Sequence, residues 1–271
     1  MSIRACALPF TVLAATLVVA EGVAQTSQTI RVQDVRALTT SAVQAADSLF
    51  GALDPSAAME RLEVRLEVAE DDFEARWRAA QYSLTLAILA DDEDTRVAWL
   101  QRGNYHADRA LRQEPDHPES LTWAAALKGR LAMEVGGNAE KARRGQEVWD
   151  LGHRLLAVDP DNAFGHDILG KLNQEVRKLG SIARFFARTF MGNDPIRNST
   201  WESSEAHLKA AIESDPDVVL FHLDLGDTYF HQKKWDEARA IYEAGLRLSD
   251  RFPPDPKFKD EIRRQLAEID R

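Results

Sequence analysis

The stretch from Asp215 to Asp250, DPDVVLFHLDLGDTYFHQKKWDEARAIYEAGLRLSD, admits very few folds. Gly226 and Ala238 supply small side chains at the spacing where two antiparallel helices would cross, so the backbones can approach closely. Tyr229 and Tyr242 are placed to fill the gaps on either side of that crossing. Between the two helices His231-Gln232-Lys233-Lys234 is polar and short. Asp236 and Glu237 then fall in the first turn of the second helix, where its dipole favours anions. One such hairpin leaves an apolar face bare, so it requires neighbours stacked on both sides.

The offsets of Leu225-Gly226, Tyr229, Ala238 and Tyr242 match the W-x₂-L-G-x₂-Y…A-x₃-F pattern, with His222 in the tryptophan slot. The stretch therefore resembles a tetratricopeptide repeat, and the preceding chain reads as worn or interrupted copies of it. Asp71-Asp72 opens a helix with Phe73, Trp77, Ala80, Leu84 and Ile88, and Val97, Leu100, Ala107 and Ala110 line its partner. Pro118 opens the next pair, which Gly136-Gly137-Asn138 divides, and His166 with Leu169-Gly170 restates the motif in a third. Pro115, Pro160 and Pro216 each follow an acidic residue at the end of a second helix, where proline makes a sharp stop. The expected architecture is an all-α superhelix of about four helix pairs with capping helices. Residues 25–70 form an amino-terminal cap, 71–250 the solenoid with an insertion at 177–200, and 251–271 a last capping helix.

Residues 1–24 stand outside this fold. Arg4 gives a positive start, Ala5 to Ala20 is an apolar run, and Gly22-Val23-Ala24 supplies small residues before Gln25. That order resembles a secretory signal peptide cleaved after Ala24, with an uncleaved membrane anchor as the alternative. An exported protein, in the periplasm, is the expectation. The single cysteine, Cys6, lies inside this segment, so the mature chain would have neither disulfides nor thiolate metal sites. A net charge of −10 argues against a general nucleic-acid role, since neutralising phosphates needs a basic surface.

The segments Trp77-Arg78-Ala79-Ala80, Thr122-Trp123-Ala124 and His166-Asp167-Ile168-Leu169-Gly170 occur in order. A basic-aromatic insertion follows, with Pro195 and Ser204-Glu205-Ala206 ahead of the final clean repeat. In this order the chain is similar, over about residues 70–250, to the tetratricopeptide domain of the regulator-of-microtubule-dynamics family and its bacterial relatives. The resemblance implies a helical adaptor, which in animal members is linked to microtubules and organelle contacts. An exported chain would not meet tubulin, so the microtubule role does not carry over, and no family binding residue transfers.

First helices of such repeats line a concave groove. The groove-facing slots fall at Leu223, Asp227 and Phe230 in the last repeat and at Asp167, Lys171 and Gln174 in the third. They fall at Thr122, Ala126 and Arg130 in the second, and at Arg78 and Tyr82 in the first. These residues are candidates to hold an extended or helical peptide; the competing reading makes Tyr82 and Phe230 packing residues and the charges solvated. Within the insertion, Ile182, Phe185, Phe186 and Phe190 recur at helical spacing with Lys178, Arg184 and Arg188 interleaved. Lys178, Arg184, Phe185 and Arg188 thus offer a second surface, toward a partner or an anionic membrane, unless the phenylalanines plug the solenoid. None of the histidines falls into a metal spacing, and no phosphate loop or nucleophile elbow occurs. No catalysis, metal or cofactor is expected. The sequence points to a non-catalytic adaptor that binds a protein or peptide partner, with peripheral membrane binding as the alternative.

Overall fold

In the computed structural model of the protein, residues 41–180 and 194–271 are described. The expected signal segment 1–24, the start of the first capping helix, and Arg184, Phe185 and Arg188 lie outside them. Helices account for all regular structure among the described residues. Residues 41–51 form α1, followed by α2 (Pro55–Val68), α3 (Phe73–Leu89), α4 (Glu93–Gln113), α5 (Pro118–Glu134) and α6 (Asn138–Val158). Then come α7 (Ala163–Lys178), the short α8 (Asp194–Asn198) and α9 (Trp201–Ser214). Last are α10 (Val219–His231), α11 (Trp235–Arg247) and α12 (Asp255–Ile269).

The same device joins one pair to the next. Ala69, Glu114, Asp159 and Asp215 close their helices with nearly identical extended backbones, φ between −129° and −144° and ψ between 81° and 90°. A proline follows in three of the four, and it cannot continue the helix. Three residues after the closing residue the next helix begins on a capping side chain in three of these joints, Asp72, His117 and Asn162. Asp72 Oδ1 accepts from Ala75 N at 3.2 Å, and Asn162 Oδ1 accepts from Gly165 N at 2.9 Å. Such caps satisfy backbone donors that a helix start otherwise leaves open. The repeated turn fixes a repeated angle, and repetition of that angle makes a superhelix.

Helices pair as α3 with α4, α5 with α6, α7 with α9 and α10 with α11. First helices of successive pairs also touch, α3 with α5, α5 with α7 and α7 with α10, and so build a continuous inner wall. The close approach within a pair rests on the motif glycines. A Cβ on Gly170 would lie 2.6 Å from Leu208 Cγ, and one on Gly226 would overlap the Tyr242 ring. Tyr242 and Ala238 have no exposed surface, and Leu225 is 2 % exposed. Val43, Ala46 and Phe50 of α1 share a core with Met59 and Leu62 of α2 and Ala79 and Tyr82 of α3, so the first pair seals that end.

The last helix does more than seal the other end. Phe258 and Ile262 bury against α10 and α11, while Lys257 Nζ donates to the carbonyl oxygens of Ile88 at 2.7 Å and Ala90 at 3.4 Å. Those carbonyls end α3, where a cation is favoured. Just before α12, Phe252 packs on both the α1–α3 core and the cluster of Ala211, Val218 and Phe221. The two ends of the superhelix therefore meet.

Gly226→Ala should cost about 1–3 kcal/mol of stability, because the buried Tyr242 ring has no space to give. Gly145→Ala in α6, whose Cβ would meet nothing, should be neutral or stabilise by up to about 1 kcal/mol. Urea midpoints of the two variants check the assignment of Gly226 to the helix crossing; equal behaviour would refute it.

Candidate partner-binding groove

The inner wall encloses a cavity of about 1050 Å³. All four first helices contribute: Leu84 and Ile88 from α3, Ala126 and Arg130 from α5, Asp167 to Leu172 on α7, and Leu223 from α10. Phe258 and Glu261 of α12 close it from the carboxyl-terminal side. Most of its lining is apolar, and Asp167, Lys171, Asp224 and Asp227 gather where α7 meets α10.

That charged cluster follows from helical spacing. Asp167, Lys171 and Glu175 stand four residues apart on one face of α7, and Asp224 and Asp227 stand three apart on α10. Lys171 Nζ donates to Asp224 Oδ1 at 2.5 Å and lies 3.7 Å from Asp227 and 3.9 Å from Glu175. Burial alone would lower the Lys171 ammonium, but Asp224 and Asp227 outweigh it and raise it. Asp227 also accepts from Tyr242 Oη at 2.7 Å. Burial pushes its carboxyl up to about 6, with Lys171 opposing the shift and Asp224 adding to it. Behind the cluster Gln174 Nε2 donates to Thr228 Oγ1 at 2.9 Å and to the Asp224 carbonyl at 3.2 Å, tying α7 to α10.

Asp167, Lys171, Arg130 and Asp227, each expected in the groove, line this cavity together with Ala126 and Leu223. The structure places the other candidates elsewhere. Arg78 and Tyr82 face α1: Arg78 Nε donates to Asp47 at 2.7 Å, and Tyr82 Oη donates to the same carboxylate at 2.7 Å. The Tyr82 ring stacks on Phe50 with centroids 4.4 Å apart, and the Arg78 guanidinium lies 3.9 Å above Trp77. The amino-terminal pair covers the very surface that the first repeat's slots would otherwise present. Thr122 is buried within α5 and Gln174 at the α7–α10 seam, while Phe230 packs edge-on against Trp235 at 5.2 Å. Lys178 is exposed and pairs with Glu175 at 2.9 Å. Sequence reasoning missed Asp224, which a three-residue spacing from Asp227 could have found. It also missed Lys257, Phe258 and Glu261, whose place depends on α12 crossing the groove.

Paired helices, shared turns and a continuous inner wall define a tetratricopeptide-like solenoid. Its fold is similar to that of TTC0263, a thermophilic TPR protein of Thermus thermophilus, with a TM-score of 0.60 at 15% identity over 84% of this chain and 99% of that one. The chain belongs to the family described as regulator of microtubule dynamics protein 1-3, whose model matches residues 42–270. It is 22% identical over 186 residues to regulator of microtubule dynamics protein 3 of Bos taurus. That alignment covers 69% of this chain and 39% of the bovine protein's length.

A carboxyl whose folded value exceeds its unfolded one stabilises fully below the unfolded value and loses that contribution as pH rises through the folded one. For Asp227 the window runs from 3.8 to about 6. Asp227→Asn should therefore gain on the wild type by roughly 2–3 kcal/mol between about pH 4 and about pH 7. Urea titrations across that range measure the difference; a constant gap would exclude Asp227 as the titrating group.

Proposed function

We propose that the protein is a non-catalytic scaffold that holds a peptide segment of a partner protein in the cavity between α3, α5, α7 and α10. One observation carries this reading. The cavity of about 1050 Å³ is lined by the first helices of every repeat, apolar over most of its surface, with Asp167, Lys171, Asp224 and Asp227 clustered at the α7–α10 contact. A site of that kind binds by burying apolar side chains and orients its occupant through a few polar contacts. The family relationship supports an adaptor, and the residues at the cavity supply contacts in place of a reaction. The exported location rests on the order of Arg4, the apolar run Ala5 to Ala20 and Gly22-Val23-Ala24. In that compartment the partner belongs to the envelope, and a role on microtubules does not transfer.

Gly129 offers a clean test, because it lines the cavity and a Cβ there meets only Val148 Cγ2 at 3.7 Å. Gly129→Trp should fill the groove with helicity unchanged. A photo-crosslinking residue at Met133, also on the cavity wall, should react with one contiguous peptide of a partner in an envelope extract. That crosslink should be lost when Gly129→Trp is added. Crosslinks that persist in the filled protein would overturn the groove assignment.

A second reading, contact with an anionic membrane surface through residues 177–191, rests on the alternation of phenylalanine and arginine in a chain of net charge −10. It requires that Arg184→Glu with Arg188→Glu abolish flotation with phosphatidylglycerol vesicles, and it fails if flotation is unchanged.

A further inference from the structure

The groove contains a carboxylate oxygen for which the described residues supply no hydrogen-bond donor. Asp167 is 6 % exposed and lines the cavity, and its Oδ1 has no hydrogen bond among the described residues. Most other buried charged side chains in the protein have partners, although Asp255 Oδ1, away from the cavity, has none among the described residues. Arg65 donates to Asp72, Arg76 to the Glu70 carbonyl, and Asp224 accepts from Lys171, each at 2.5–2.8 Å. Asp255 Oδ2 accepts the amides of Arg251 and Phe252, both at 2.7 Å. Buried polar groups in native proteins are normally bonded, so an orphan on a cavity wall marks a place where a donor arrives from outside.

The nearby cations do not supply that donor. Lys171, one turn along α7, is committed to Asp224 and Asp227. Arg130 on α5 lines the cavity and attenuates the charge of Asp167 without forming an ion pair with it. The charges that act on Asp167 are Asp224, Lys171 and Arg130, while Glu175 is paired with Lys178 at 2.9 Å. Around this cluster the walls are apolar at Leu172 and Leu223. Building on the groove reading above, we propose that the segment held in the cavity carries a lysine or arginine side chain that docks on Asp167, flanked by apolar residues that cover the neighbouring wall. An entering cation would offset the burial and the Asp224 charge that disfavour ionisation of Asp167, and would pair with the carboxylate out of water, where a charge-assisted hydrogen bond is strongest.

Asp167→Asn tests this against a structural role. If the carboxylate waits for a partner, the amide should leave the melting temperature of the free protein unchanged or higher, as with other binding groups that a fold holds at some cost in stability. Random dodecapeptides displayed on phage and selected on the wild-type protein should converge on a basic residue set among leucine or phenylalanine. A synthetic peptide of the selected sequence should bind Asp167→Asn at least about tenfold more weakly. Replacing its basic residue by norleucine should cost a similar factor in the wild type and little in the variant. A selection without a basic residue, or affinity within about twofold for Asp167→Asn, would overturn the inference while the groove stands, provided Gly129→Trp still abolishes binding. Binding that survives Gly129→Trp would overturn the groove reading and this inference with it. A melting temperature several degrees lower in Asp167→Asn would show that Asp167 serves the fold, with Arg130 as its partner, and would also overturn it.

Discussion

Everything in this molecule follows from how closely two helices can approach within a pair. At Gly170 and Gly226 a first helix presents bare backbone, and Leu208 and Tyr242 of the paired helices press into that space. The interface is closely packed, so each pair has a single crossing geometry. Equal turns at Glu114, Asp159 and Asp215 then rotate one pair against the next by the same means each time. An inner wall of first helices is the geometric consequence, and the cavity is what that wall encloses. The proposed binding surface is therefore not an addition to the fold. It is the unpacked side of the same helices whose packed side holds the protein together.

An open solenoid would expose this wall along its length. Here the carboxyl-terminal segment limits it, since Phe252 joins the cores at both ends and Lys257 caps the last turn of α3. Local stacking alone would let the repeats flex relative to one another. The long-range contacts of Phe252 and Lys257 couple the first pairs to the last and hold the width of the cavity. A segment held as proposed would meet a site that is already shaped, which reduces the ordering cost of association.

How far the sequence foretells this depends on whether a feature is local. Leu225-Gly226, Tyr229, Ala238 and Tyr242 carry the helix crossing in their own spacing, so the fold was readable from a single repeat. Asp167, Lys171 and Asp227 were readable as groove positions because that periodicity continues through α7 and α10. Arg78 and Tyr82 occupy equivalent slots by the same count, yet α1 covers them, and Asp47 takes both their hydrogen bonds. Nothing in the motif states that a capping pair will pack there, since capping helices follow no consensus. Lys257 and Phe258 were hidden for a related reason: their meaning comes from a contact with α3 some 169 residues away in sequence.

The treatment of polar groups separates the two sides of the wall. On the packed side, polar side chains are used as fasteners. Gln174, Thr228 and Ser204 link α7, α10 and α9 in one buried chain, with Ser204 Oγ donating to the Gly170 carbonyl at 2.9 Å. His106 accepts from Arg76 Nη1 at 2.8 Å, and burial with the surrounding arginines pushes its imidazole down to about 3. That ring stays neutral at ordinary pH and behaves as a fixed acceptor, so the seam between α3 and α4 has no proton-dependent slack. On the cavity side the opposite holds. Carboxylates crowd around Lys171, burial and Asp224 raise Asp167 well above the usual carboxylate range, and Asp227 stands near 6. Burial there works against ionisation of both carboxyls, in line with the preference of a buried site for neutrality. The seams are not perfectly satisfied, since Gln174 Oε1 and Asn173 Oδ1 have no partner among the described residues. Those atoms are sealed between helices, whereas Asp167 Oδ1 stands on the wall of a cavity that the proposed segment would enter.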